Sequence, residues 1–532
     1  MRHHPLERLA AGAAIFLFTS SAVVFHNSAT AATPTPKVTA TAAARFLEQA
    51  GFGPSPASIA EVQALGFGPW IDAQIALKTW SPIPDYSTDA KGNTSLTPTQ
   101  QGFFVNASAG DDQLRQRVAL AYSQIWVVSG VKLQPHAVVP YLRLLQADAF
   151  TTYDKLLYDI TLSPAMGHYL DMVNNNKGVS PNENYAREVL QLFSVGLYQL
   201  DAYGRVVKDA KGVPVPTYNQ DMIEGFSRLF TGWTYAPLAG AKSHFGNPAN
   251  WDAPLVAFEA NHDMTAKVLL NGHSLSANQT AEMDLKEGLD NIFRHANVGP
   301  FICRQLIQRL VTSQPSDAYV KRVADVFAKS PTSGVRGDMA AVIKTILLDP
   351  EARAGDDGKA ENQSTKLREP ILWIGCFLRG LNAKVVSPNN LTGNAAVLGQ
   401  NLYYSPTVFN YYHPGYEISL TSTQQHNAPE FEILSEATAA STADLVNTFV
   451  YGGVTGVAID LTLYITPLGT KPTDNQIGGM VDSLNQALMG GRMPATMHAT
   501  ILTACKAQTT PKGMVQTAVY LIGSSWNYQV ER

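Results

Sequence analysis

Only three cysteines, Cys303, Cys376 and Cys505, occur in 532 residues. That is too few for a disulfide framework, so the fold has to be held by its core. Cys303 in F-I-C-R-Q-L and Cys376 in W-I-G-C-F-L sit among apolar neighbours and read as buried, inert thiols. Charge is scarce as well: 15% of residues are Asp, Glu, Lys or Arg, and the formal net charge is −4. So even a balance gives no field for nucleic acid or an anionic membrane and argues against both as partners. Catalytic signatures are missing too. The chain has no H-E-x-x-H, no carboxylate-x-x-His pair repeated on two helices, no cysteine cluster, no G-x-S-x-G, no P-loop and no Rossmann glycine fingerprint. No metal and no cofactor are expected.

Long apolar runs are also few. One spans residues 9–25, preceded by Arg2, His3, His4 and Arg8 and followed by Ser28-Ala29-Thr30-Ala31-Ala32. The basic start, apolar centre and small-x-small site read as a secretory signal over residues 1–31, cut near Ala31; an uncleaved anchor is the alternative. No paired arginines precede the run, which favours general secretion over twin-arginine export. The expected location is extracytoplasmic, periplasmic or secreted. The apolar stretch 371–378 is too short to cross a bilayer, so no stable span is expected after cleavage.

What remains is 45% hydrophobic, ample for a core. Residues 32–39 read as a flexible Thr/Pro-rich linker, 40–450 as a main helical body, and 451–532 as a C-terminal helical unit packed on it. Helices are predicted from 40 to a break at Gly51-Phe52-Gly53-Pro54, from 56 to 65 with Ser55 or Ser58 as cap, and over 70–77. Residues 81–100 read as a polar loop. Further helices follow at 111–129, 140–147, 220–231, 285–296, 300–313, 317–329, 338–348, 370–380, 431–449, 474–488, 494–507 and 515–525, with Pro494 suited to a first turn. The fold class is all-α, with one small β-hairpin at about 203–217 where Gly204 and Gly212 flank a β-branched pair. A calcium loop there fails on spacing, because Tyr203 and Gly212 stand where ligands belong. Residues 234–275 carry little periodicity and read as a long irregular segment of the kind that often carries function.

The densest polar stretch is 153–197. Asn174-Asn175-Asn176 should end its first amphipathic run, and Asn182 can cap the second. At about 100° per residue, Glu183, Asn184, Arg187, Glu188 and Gln191 share one arc, and Tyr185, Ala186, Val189, Leu190, Leu192, Phe193 and Leu197 fill the other. Glu183 and Arg187 have the i,i+4 order that favours an ion pair. Glu183 and Glu188 lie about 140° apart, so they cannot act as a carboxylate pair on one substrate. A second carboxylate would come from Asp171 or Asp221 on neighbouring helices.

These motifs resemble a bacterial exported family, domain of unknown function 1800. The resemblance is carried by Arg45-Phe46-Leu47, Phe52-Gly53-Pro54, Gly68-Pro69-Trp70, Arg115-Gln116-Arg117, Glu183-Asn184-Tyr185-Ala186-Arg187-Glu188, Thr231-Gly232-Trp233, His262-Asp263, Arg309-Leu310-Val311 and Leu367-Arg368-Glu369-Pro370. It implies an exported, mainly helical protein with no catalytic residues to carry over. It also implies a partner, an exported protein of the family numbered 1501, whose genes often lie beside those of this family.

The expected function is therefore binding to another exported protein, through the polar face of the Glu183 helix and the loop 234–275. The alternative is a hydrolase on envelope glycan or another extracellular polymer. Its acid/base would be Glu183 or Asp171, with Arg187 as anion clamp and His262 as a second polar group. His168, Asn175, Asn184, Glu188, Gln191, Asp221 and Asp263 complete the candidate cleft. A purely structural scaffold would instead enclose Arg187.

Overall fold

In the computed structural model, helix accounts for 52% of the described residues. The structure describes residues 38–178, 180–359, 365–388, 390–421 and 424–531. The segment expected to be a signal, with its junction near Ala31, lies outside them. Strands occur, among the described residues, only as six two-stranded antiparallel pairs.

Local chemistry sets many boundaries. The first two helices run Ala40–Ala50 and Pro56–Leu65, the latter closed by a Ser55/Ser58 capping box. Between them Gly53 has φ +102°, and a Cβ there would lie 2.7 Å from the Cα of Cys376. Only glycine allows both that backbone and that approach, which is why Phe52-Gly53-Pro54 can seat the helix Pro370–Gly380.

Two hydrophobic cores result. One gathers Phe46, Trp70, Trp126, Tyr153, Leu190, Phe226, Leu306 and Ile343. The other surrounds Pro370–Gly380 and takes Phe52, Phe104, Val446, Val481, Val519 and Tyr528, thus drawing on residues from both sides of position 450. Both belong to one compact unit that begins at Val38. The three cysteines are buried and unpaired, and burial pushes the thiols up, Cys376 to about 12 and Cys505 to about 11.

Three departures from the sequence reading have physical causes. Thr97–Ala109 is a helix whose first turn falls within residues 81–100, where a loop was expected; its propensity is poor, but Phe103, Phe104 and Ala107 are buried and tertiary packing overrides it. The single hairpin near 203–217 is instead three isolated bridges, Tyr198 with Pro216, Leu200 with Val206, and Lys208 with Pro214. Pro214 and Pro216 cannot donate, so no continuous ladder forms. The same turn recurs there: Asp201 accepts from the amides of Tyr203 and Arg205, and Asp209 from those of Lys211 and Val213. Finally, Pro494 is the cap of Ala495–Lys506 and stands just before its first turn.

Where the two cores meet, the chain buries charge. The Glu48 carboxylate is 1% exposed and lies 2.7 Å from Arg368 and 2.7 Å from Arg492. Burial alone would push it up, but Arg492 and Arg368 outweigh that and hold it below the ordinary carboxyl value. Beside it, Glu369 accepts from Gln124, Gln400 and Tyr412. Lys366 donates to the carbonyl of Arg309 at 2.7 Å and lies 3.6 Å from Glu430. Lys366-Leu367 pairs with Val530-Glu531, so the C-terminal strand closes over this cluster.

Removing one member of such a pair strands the others in the interior. Glu48→Ala should cost about 3–5 kcal/mol, read as the shift in a urea unfolding midpoint; a change within experimental error would contradict this role. Burial raises the Glu531 carboxyl from 4.5 to about 6 against the pull of Lys366 and Arg368. Its folded value exceeds its unfolded one, so its stabilising contribution is complete below 4.5 and is lost as pH rises through about 6. Glu531→Gln should therefore flatten the fall in melting temperature across that window. A wild-type-to-variant difference that does not change with pH would refute it.

Candidate functional site

The helix Asn184–Gln191 starts from a turn in which the Asn182 side chain accepts from the Asn184 amide at 2.8 Å. Its end is set where the amides of Leu192 and Phe193 both reach the Glu188 carbonyl, at 2.9 and 3.2 Å. It is therefore shorter than the periodicity suggests, and Leu197, placed by sequence on the apolar arc, is 47% exposed. The rest of that arc is buried except for half-buried Leu192. Tyr185 donates to Thr161 at 2.7 Å and meets Phe230 edge-on.

On the polar arc, Glu183 lies 2.9 Å from Arg187 and accepts from Gln220 at 2.9 Å. Arg187 is 42% exposed, so the enclosed arginine of a pure scaffold is not what the structure shows. Asn184 donates to Asp171 at 3.0 Å, and Asp171 lies 3.0 Å from Lys132. Asp171 (φ 60°) and Asn174 (φ 61°) both sit in the left-handed region, which turns the chain sharply after the helix Pro164–Tyr169.

Glu188 differs from its neighbours. Its Oε2 is buried with no hydrogen-bond partner, and so is the hydroxyl of Tyr218. Burial raises the Glu188 carboxyl, and Arg187 pulls it back. Tyr218 is pushed up to about 12 by burial, with Arg187 lowering and Glu188 raising it; Tyr169 is raised by burial and by Glu188. Glu188 thus bears electrostatically on both tyrosines. Gln191 ends the arc, half-buried, and Asp221 is exposed in the first turn of Gln220–Leu229.

The loop after residue 231 lies alongside. Asn174 donates its amide to the Trp233 carbonyl at 2.7 Å, Gly232 donates to that of Asn175 at 2.8 Å, and Asn261 donates to the Asn176 side chain at 3.0 Å. Asn175 is buried and clamps the chain by exchanging bonds with the Asn182 main chain. The run of asparagines thus serves as a docking strip. His168 is hydrogen-bonded to the Tyr235 hydroxyl at 2.8 Å and packs edge-on against Trp251, which His136 also meets. Burial and then Lys132 hold His168 below its ordinary value.

His262 and Asp263 are not part of this face. His262 is fully buried, donating from Nδ1 to the Thr231 carbonyl at 2.9 Å, with Nε2 3.1 Å from Asp284. Lys267 lies 2.6 Å from the same Asp284, and Asp263 accepts from the Thr265 amide. A second polar group in an open cleft is therefore the wrong role for His262: its side chain is fully buried, and Gly232 packs so closely on it that an added Cβ would lie 2.9 Å from the His262 Cβ and backbone nitrogen. Among the described residues no group of three or more His, Cys, Asp or Glu could hold a metal ion.

A family model described as a protein of unknown function, DUF1800, matches residues 45–530. The chain belongs to the DUF1800 family. Comparison with curated proteins and with solved structures gives no match. Several features of this DUF1800 chain carry no spacing signal. Lys132, Tyr218 and Gln220 reach the face only through tertiary contacts, and nothing near them in sequence marks them out; Trp251 lies in the segment 234–275 that its lack of periodicity had singled out.

The two ionic groups should separate cleanly on mutation. Arg187→Ala should cost less than about 1 kcal/mol, as for other half-exposed pairs. Asp284→Ala, which strands Lys267 and His262, should cost about 3–5 kcal/mol. Comparable losses in chemical denaturation would contradict the division into a surface face and a buried cluster.

Proposed function

We propose that the protein is an extracytoplasmic binding protein whose partner is another exported protein. Its contact surface is the polar flank of Asn184–Gln191 together with the adjoining loop. The observation that carries this reading is a polar face assembled from separate segments, on which Gln220 bonds Glu183, Asn184 bonds Asp171 and Arg187 stays 42% exposed.

A glycan hydrolase of the kind expected from sequence would need Glu183 or Asp171 free as acid/base, with a second carboxylate facing the same substrate. Both acid/base candidates are held by other groups, Asp171 by Lys132 and Glu183 by Arg187 and Gln220, and Asp221, the other candidate for a second carboxylate, is exposed in the first turn of Gln220–Leu229. Recognition needs no such pair. It needs a rigid polar surface with aromatic edges, and half-buried Trp251 and exposed His168 supply those.

Amine-reactive crosslinking on intact cells, read by mass spectrometry, tests this directly. Lys132 and Lys177 are exposed at the face and should crosslink to one exported protein, and Arg187→Glu should abolish those links while leaving the fold intact. Absence of links from these lysines, or links unaffected by Arg187→Glu, would overturn the proposal.

A further inference from the structure

Away from that face, the helix Ala281–Arg294 buries one side and leaves the other uncovered. Ala281, Leu285, Leu289 and Ile292 are buried, while Glu282, Lys286, Asp290 and Arg294 are exposed. These four stand four residues apart, so each lies one turn above the last along a single ridge. Their signs alternate: acid, base, acid, base. Beside the ridge runs a groove of about 810 Å³, shared with the helix Tyr153–Leu162. Leu289 and Phe293 line it, together with Tyr158 and Met283, two large side chains left exposed.

The charge pattern says what covers such a face. Read in reverse, the ridge becomes base, acid, base, acid, the opposite of itself at every position. An antiparallel copy of the same helix therefore sets Glu282 beside Arg294 and Lys286 beside Asp290, each contact occurring twice about a twofold axis. The same reversal lays Met283 of one copy over Phe293 of the other. Ridges of this i,i+4 kind interdigitate when two helices cross at about 50°. The groove itself is lined by three acids, Asp154, Glu287 and Asp290, and three bases, Lys155, Lys286 and Arg294. A strongly acidic or basic partner would meet as many like as unlike charges, whereas a second copy meets its complement. Within one chain Asp290 holds Arg294 at 2.6 Å, but both side chains are exposed, so this bridge is weak and free to exchange partners.

We propose that Ala281–Arg294 packs antiparallel against the same helix of a second copy, making a twofold dimer with Met283 and Tyr158 covered in the groove and its register set by the alternating charges. The apolar side chains supply the attraction as they leave water. The charges fix the orientation, because a parallel, in-register arrangement sets like against like along the whole ridge. The ridge is separate from the polar flank of Asn184–Gln191, so either proposal can fail without the other.

Sedimentation equilibrium of the purified chain tests this. Wild type should show a reversible monomer–dimer equilibrium. Lys286→Glu and Asp290→Lys each bring like charges together at both symmetry-related contacts, and each should raise the dissociation constant at least about tenfold. Both positions are exposed, so melting temperatures should hold. Mixed in equal amounts, the two variants should recover wild-type affinity as a heterodimer, because each restores the charge the other lost. A monomer at every concentration, a dimer that neither reversal weakens, or a mixture no tighter than its components would each overturn the assignment.

Discussion

Glu48 holds the molecule together by charge rather than by grease. Its carboxylate sits between Arg368 and Arg492, which follow it in sequence by 320 and 444 residues. Around it the Ala40–Ala50 helix, the strand Lys366-Leu367 and the C-terminal strand Val530-Glu531 converge. Buried ion pairs of this sort add little net stability over a well-packed apolar substitute, but they tolerate no missing partner. Their effect is on specificity: two cores that could otherwise drift as separate bodies are fixed in one arrangement. Glu369, reached by Gln124, Gln400 and Tyr412, extends the same lock to the C-terminal end of the helix Gln113–Ser123, which Gln124 caps.

That rigidity is what allows a polar face to be built from distant pieces. The face borrows Lys132, Asp171, the helix Asn184–Gln191, Gln220 and the loop beyond Gly232. None of these is long enough to be stable alone, and an eight-residue helix least of all. The Asn174–Asn176 strip and Gly232 bind the loop to the turn, and the sealed His262–Asp284–Lys267 group anchors it from below. Binding to a partner then costs little ordering, because the surface is already set.

How much of this was legible beforehand depends on the range of the interaction. Helix ends governed by nearby residues were readable, and Ala40–Ala50 and Pro56–Leu65 match the expected bounds. The amphipathic character of the 184–191 segment and the Glu183–Arg187 pair were readable for the same reason. Thr97–Ala109 was not, because its helicity comes from burial of Phe103 and Phe104 against other parts of the chain. His262 and Asp263 read as polar groups of a candidate cleft in an irregular loop, yet the partners of His262, Asp284 and Thr231, lie 22 and 31 residues away and enclose it. The charge lock itself left no local trace: Arg45, Glu48 and Arg368 are ordinary helix-surface residue types until the fold brings them inside.

Hydrogen exchange of the folded protein, followed by mass spectrometry at increasing denaturant, tests the central claim most directly. If the buried charges couple the two cores, amides in Ala40–Ala50 and in Pro511–Gly523 should open with one shared free energy. Exchange of the C-terminal helix through a separate, lower-energy opening, with Ala40–Ala50 still fully protected, would contradict it.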